Sequence, residues 1–155
     1  MQTMTQKAAI AVAGQGKQFT VLGHSVIVQL SREETCGNYY TFEVTTPPGL
    51  GIPLHVHDRE DEIIYITEGE FEITLGNDKF IAGAGDEIFF PRHIPHAFQN
   101  IGSHVGKTIW TVVPGGNFEA FFEKLSALPV GKPDLQMVAG IFAAYGMEIL
   151  IPASA

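Results

Sequence analysis

Between Phe19 and Pro114, apolar and polar residues alternate in short runs, broken by Gly, Pro or Asn at roughly the eight-to-twelve-residue spacing of strands and turns. In Glu70-Phe71-Glu72-Ile73-Thr74-Leu75 the apolar side chains fall on one face and the polar ones on the other, the period of two that marks a half-buried strand. Gly76-Asn77-Asp78 supplies a turn, and Lys79-Phe80-Ile81-Ala82 returns as the second arm of a hairpin. Gly83-Ala84-Gly85 is another tight connection. The run 86–90 that follows it stops at Pro91, which has no N–H to give to a ladder. Further strands are expected over 19–22, 24–30, 39–45, 61–67, 96–100 and 105–113. Many short strands with frequent turn signals predict an antiparallel all-β sandwich or barrel.

After Pro114-Gly115-Gly116 the period lengthens to about 3.6. Asn117 is placed to cap a helix whose Phe118, Phe121, Phe122 and Leu125 share one face, and Pro129 ends it. Asp134 is placed to cap a second helix, with Leu135, Val138, Ala139, Phe142 and Tyr145 along one side and Gly146 as its stop. Both are amphipathic and must cover something, either the outside of the barrel or a partner subunit. Residues 1–18 are small and polar and read as an arm. The expected organisation is thus an arm over 1–18, a barrel over 19–114 and a helical extension over 115–155.

Composition narrows the function classes. The chain has 155 residues, enough for one domain with a core of its own. Nine Lys and Arg against 17 Asp and Glu leave a net charge of −8, which argues against nucleic acid and against anionic membranes as partners. No apolar run is long enough to span a bilayer as a helix. Cys36 is the single cysteine, so an internal disulfide is excluded and a reducing compartment follows most simply. The apolar stretch after Lys7 is cut short by Gly14-Gln15-Gly16, too short for the core of a secretory signal, and the expected location is the cytoplasm.

The candidate chemistry lies in histidines. In the extended segment Leu54-His55-Val56-His57 the two imidazoles are at i and i+2 and point to the same face. Glu62 shares its strand face with Ile64 and Ile66, so its carboxylate heads into an apolar interior, which is costly unless it is paired or bound to a cation. His96 begins another β-like run with Phe98 on its face. Three imidazoles and a carboxylate suit Fe, Mn, Ni, Co, Zn or Cu and do not suit Mg or Ca. On spacing alone, two surface histidines and a solvated glutamate among Asp58, Arg59, Glu60 and Asp61 fit as well. His24 and His104, beside glycines at strand ends, read as solvated. His93 reads as a surface turn residue, and Cys36, in a polar loop, has no base beside it.

The spacing of these residues resembles the cupins. Gly49, His55-Val56-His57, Glu62 and Gly69 match the first cupin signature, and Gly85, Pro91, His96 and Asn100 the second. The one departure is His93, where cupins usually carry glycine. Histidine tolerates positive φ better than most residues. The motifs cover 49–100 and the strand rhythm extends the likeness over 19–114. The resemblance implies a cupin jelly-roll barrel, here with two short C-terminal α-helices, enclosing one divalent transition metal ion. It implies His55, His57, Glu62 and His96 as the ligands.

Four protein ligands leave a position open on a five- or six-coordinate ion, the mark of a reactive site. Glu62, the one anionic ligand, is the candidate base. Alternation places Phe42, Ile64, Ile66, Phe98 and Trp110 toward the interior as candidate substrate contacts, with only Arg92 and Arg59 as cations within range. Within the cupins the chain looks most like single-domain proteins similar to quercetin dioxygenases, through Pro53-Leu54-His55-Val56-His57, Glu60-Asp61-Glu62, Gly69-Glu70-Phe71 and its ending. The implied function is a dioxygenase that uses O2 on a small enolisable, flavonol-like aromatic substrate. The alternatives are a non-catalytic small-molecule binding cupin and a metal-dependent isomerase or lyase of a carbohydrate or keto acid. An exposed sheet edge and an extended arm lead us to expect a homodimer.

Overall fold

Eleven strands and two helices are formed by residues 6–150, which the computed structural model describes; the ends of the expected arm and extension, 1–5 and 151–155, lie outside the described residues. In chain order the strands are β1 (Gln18–Val21), β2 (His24–Leu30), β3 (Tyr40–Thr46), β4 (Gly51–His57), β5 (Asp61–Glu68), β6 (Glu70–Leu75), β7 (Asp78–Gly83), β8 (Glu87–Phe90), β9 (His96–Asn100), β10 (Gly106–Val113) and β11 (Met147–Ile149). The helices α1 (Phe118–Ser126) and α2 (Leu135–Ala144) fall between β10 and β11. All strand pairs are antiparallel. One sheet runs β1-β2-β3-β10-β5-β8 and the other β11-β4-β9-β6-β7, the two-sheet arrangement of a jelly roll.

The period-two pattern is the reason for this architecture. Along β3 and β10 every second residue is buried, and Phe42 pairs with Trp110 across the two strands. Burying the inner residues of both sheets against each other forms one core, in which Tyr40, Ile64, Ile66, Phe71 and Ile73 are wholly inaccessible. Turn chemistry agrees with the pattern. His93 adopts φ 69°, so the position where cupins usually carry glycine keeps its left-handed backbone.

The helices depart from expectation in three ways. First, they cover the mouth between the sheets rather than the barrel's outside: Phe118, Phe121, Phe122 and Leu125 of α1 turn into the space between β1, β3 and β10 of one sheet and β4 and β9 of the other. The four aromatic and aliphatic side chains find more apolar surface at that open mouth than on an outer sheet face carrying Thr41, Glu43 and Thr45. Second, Asn117 does not cap α1. Its Oδ1 accepts from Arg32 Nη1 at 2.8 Å instead. Asp134 does cap α2, accepting from the N–H of Gln136 at 2.9 Å and that of Met137 at 3.4 Å. Third, Leu135 stays 59% exposed at the start of α2, while Val138 and Phe142 carry the packing. The short strand β11, which has too few residues to show a period, follows Gly146 and pairs with β4.

Candidate metal centre

Strand β4 carries His55 and His57 on its inner face, and β9 places His96 directly opposite His55. Glu62 arrives from β5, in the facing sheet. The four side chains therefore meet between the two sheets, all almost fully buried. The nitrogen ligand atoms of the three histidines lie within 4.8 Å of one another, so these residues are positioned to hold a metal ion. His55 Nε2 and His57 Nε2 are 3.1 Å apart. Glu62 Oε1 is 3.5 Å from His57 Nε2, and Glu62 Oε2 is 3.2 Å from His96 Nε2.

The outer hydrogen bonds decide which ring nitrogen faces inward. His55 Nδ1–H donates to the Pro53 carbonyl at 2.8 Å, and His57 Nδ1–H donates to Glu60 Oε2 at 3.1 Å. Both Nε2 lone pairs then point at the same small volume, an arrangement that a cation satisfies and that two neutral imidazoles alone do not. His96 Nδ1 has no hydrogen-bond partner among the described residues, and His96 Nε2 has only the Glu62 carboxylate 3.2 Å away without the alignment of a hydrogen bond, although the ring is buried. An orphaned buried nitrogen beside a carboxylate is the donor a transition ion takes. Aromatic rings fix the planes: Phe90 stacks on His96 at 4.3 Å, Phe118 stacks on His57 at 5.9 Å, and Phe142 meets His55 edge-on at 5.6 Å.

Burial and mutual repulsion set the charges. Burial drives His55 down to about 3, helped by the neighbouring His96 and His57. Burial also pulls on His57, but the Glu62 and Glu60 carboxylates outweigh it and raise that imidazole above its ordinary value. For Glu62, burial pushes upward, and the surrounding imidazoles, His57 foremost, bring it down to about 2. The folded value of His55 is below its unfolded one, so the stability it contributes is present above about pH 6.5 and is lost as pH falls toward 3. His57 acts with the opposite sign: its contribution is complete below about pH 6.5 and fades as pH rises through its raised value. Chelator-treated protein is expected to lose melting temperature between pH 6.5 and 4, and His55→Gln to flatten that loss in a thermal-shift series.

The remaining sequence candidates divide. Phe42, Phe98 and Trp110 line a cavity of about 70 Å³ next to the histidines, whereas Ile64 and Ile66 are buried in the core and do not line it. Arg92 is tied to Asp61 through two hydrogen bonds of 3.1 and 3.2 Å. His93 is an exposed turn residue, with its Nδ1 4.0 Å from Asp58. His104 is exposed. His24 is not solvated: it is 1% exposed, lines the cavity, and its Nδ1 is 3.0 Å from Thr46 Oγ1. The period-two position of His24 with Val26 and Val28 signalled this burial. Glu60, grouped by sequence with a charged loop, is 4% exposed and orients His57. The aromatic residues of α1 and α2 on the imidazoles had no sequence signal beyond their helical period.

Residues 42–112 match the family model of the cupin domain. An uncharacterized protein of Methanocaldococcus jannaschii is 43% identical over 61 residues, 39% of this chain and 49% of that protein. Quercetin 2,3-dioxygenase of Bacillus subtilis is 25% identical over 88 residues, 56% of this chain and 26% of that enzyme. The chain thus spans about half the length or less of these curated relatives. Among solved structures, a predicted oxalate decarboxylase of Thermotoga maritima superposes with a TM-score of 0.62 at 21% identity, covering 68% of this chain and 99% of that one, a likeness of fold.

Proposed function

We propose that this chain, whose residues 42–112 form a cupin domain, is a metal-dependent dioxygenase acting on a small enolisable molecule with O2. The observation that carries the reading is the convergence of His55, His57, His96 and Glu62 beside an apolar cavity. The partial likeness to quercetin 2,3-dioxygenase supports it. A divalent Fe, Mn, Ni, Co, Cu or Zn ion held by these four side chains would supply Lewis acidity toward an enolisable oxygen and, for the redox-active ions, an electron path to O2. The chain's own part is orientation, desolvation and charge. Pro53 and Glu60 fix the imidazole tautomers, the aromatic rings exclude water, and Glu62 stays ionised at neutral pH as the proton acceptor for an acidified enol. Both oxygen atoms of O2 end in the organic products, so no outside reductant is required. The reading includes a cytoplasmic location and a homodimer; the exposed Tyr65 and Phe89 on neighbouring strands β5 and β8 favour the dimer alone.

The test is anaerobic loading with each of the six ions in turn, then oxygen uptake with diketones, flavonols and sugar acids. Uptake that disappears in the Glu62→Gln variant supports the reading. Product without oxygen uptake replaces it with an isomerase or lyase, and saturable binding without product replaces it with a binding module. Glu60→Ala is expected to weaken metal affinity about 10–100-fold, the usual effect of losing an outer partner. Glu60→Gln keeps an acceptor for His57 Nδ1–H and is expected to recover most of it, as a chelator competition would read.

A further inference from the structure

We propose that helix α1 makes the cavity selective for compact, uncharged, apolar enolisable carbonyl compounds, and against dicarboxylates, sugar acids and ring systems of flavonol size. The inference rests on the reading of the histidine cluster as the reaction centre and adds the substrate class. Three observations carry it. None of the nine lysines and arginines lines the cavity, and the one charged wall residue, Glu62, is anionic. A second carboxylate on a substrate therefore enters without a cation to receive it.

The spare hydrogen-bonding capacity of the walls is used up. Trp110 Nε1–H donates to Thr108 Oγ1 at 2.9 Å, and the two ring nitrogens of His24 face Thr46 Oγ1 at 3.0 Å and the Gly51 carbonyl at 3.4 Å. A buried substrate hydroxyl finds no partner there beyond the cluster. Size is the third observation. The cavity measures about 70 Å³, roughly half of the ~150 Å³ that holds benzene in a protein core. Phe118, Phe121, Phe122 and Leu125 of α1 form its roof. A compact guest needs adjustment of these side chains; a flavonol needs the helix to leave.

Trp110 is the only tryptophan and lines the cavity, so its emission reports entry. Zinc-loaded protein is titrated with pentane-2,4-dione, with 1-phenylbutane-1,3-dione, which has the same headgroup and a larger body, and with oxalate. The expected result is at least tenfold tighter binding of pentane-2,4-dione than of either other probe. Leu125→Ala and, separately, Phe122→Leu are expected to narrow the gap between the two diketones. Equal or tighter binding of oxalate or of the phenyl diketone by the unmodified protein overturns the inference, as does a silent titration with pentane-2,4-dione. Selective diketone binding without oxygen uptake leaves the inference standing and removes the dioxygenase reading. Oxygen uptake with oxalate or a flavonol and none with diketones does the reverse.

Discussion

His57→Ala is expected to lower transition-metal affinity by more than the 10–100-fold that the loss of an outer partner costs, because it removes a donor and disturbs two carboxylates at once. His57 is the hinge of the cluster. Its Nε2 lies 3.1 Å from His55 Nε2 and 3.5 Å from Glu62, while its Nδ1–H occupies Glu60. Truncation leaves Glu60 and Glu62, both almost fully buried, without the imidazole between them. Breaking one partner out of a buried charged group typically costs about 3–5 kcal/mol. The variant is therefore expected to melt lower even when free of metal, and to retain no stoichiometric metal after dialysis against a weak chelator. Metal analysis and a thermal melt on the same sample check both. An unchanged metal content would mean that the ion does not sit among these residues.

The four residues at the centre of this site were legible as a set through the resemblance of their motif spacing to the cupins; local periodicity accounts for only part of the set and by itself left surface histidines equally open. His55 and His57 converge through strand alternation alone, and Glu62 was drawn inward by the apolar Ile64 and Ile66 on its own face. His96 is less local: only the register that sets it opposite His55 brings it in, and that register is a property of two strands about forty residues apart. Glu60 was illegible for a different reason. Its neighbours Asp58, Arg59 and Asp61 give it the look of a solvated loop. In the fold the loop before α1 comes up to it, with Gly116 close to its carboxylate. His24 is a case where the pattern was stronger than the rule applied to it, since a residue at the end of a strand takes the side that its period dictates.

For the fold, nine of the eleven described strands followed from alternation and turn residues; β4 was legible only as an extended segment over 54–57, β11 is too short to show a period, and the place of the helices was not legible. An amphipathic face states that a helix must cover apolar surface and leaves open which surface. The aromatic density of α1 is the residue-level clue: Phe118, Phe121 and Phe122 supply three rings in five residues, more than the outer face of a sheet lined by threonine and glutamate offers to match. The same consideration explains why the cavity is small. The rings that close the mouth also occupy the space a larger barrel would leave to a ligand.

Gly51→Ala is expected to cost about 2–4 kcal/mol and to weaken metal affinity, although residue 51 touches none of the four candidate ligands. A Cβ there would stand 2.0 Å from the Phe98 carbonyl oxygen and 2.8 Å from Gln99 Cα. Those are backbone atoms of β9 and cannot swing aside as a flexible side chain would. Strands β4 and β9 must then separate at the end where Gly51 faces Gln99, and farther along they hold His55 against His96 with ring centroids 4.4 Å apart. Separation at one end tilts that pair. Gly140 in α2 is the control, since a Cβ there meets nothing within 4 Å. Replacing a helical glycine by alanine reduces the freedom of the unfolded chain, so Gly140→Ala is expected to stabilise by about 0.5–1 kcal/mol with metal affinity unchanged. Denaturant melts and chelator competition on both variants separate strand approach from a general effect of adding a methyl group. Unchanged metal affinity in Gly51→Ala, at a measurable loss of stability, would show that the histidine pair tolerates strand separation and that its geometry is set by the aromatic rings around it.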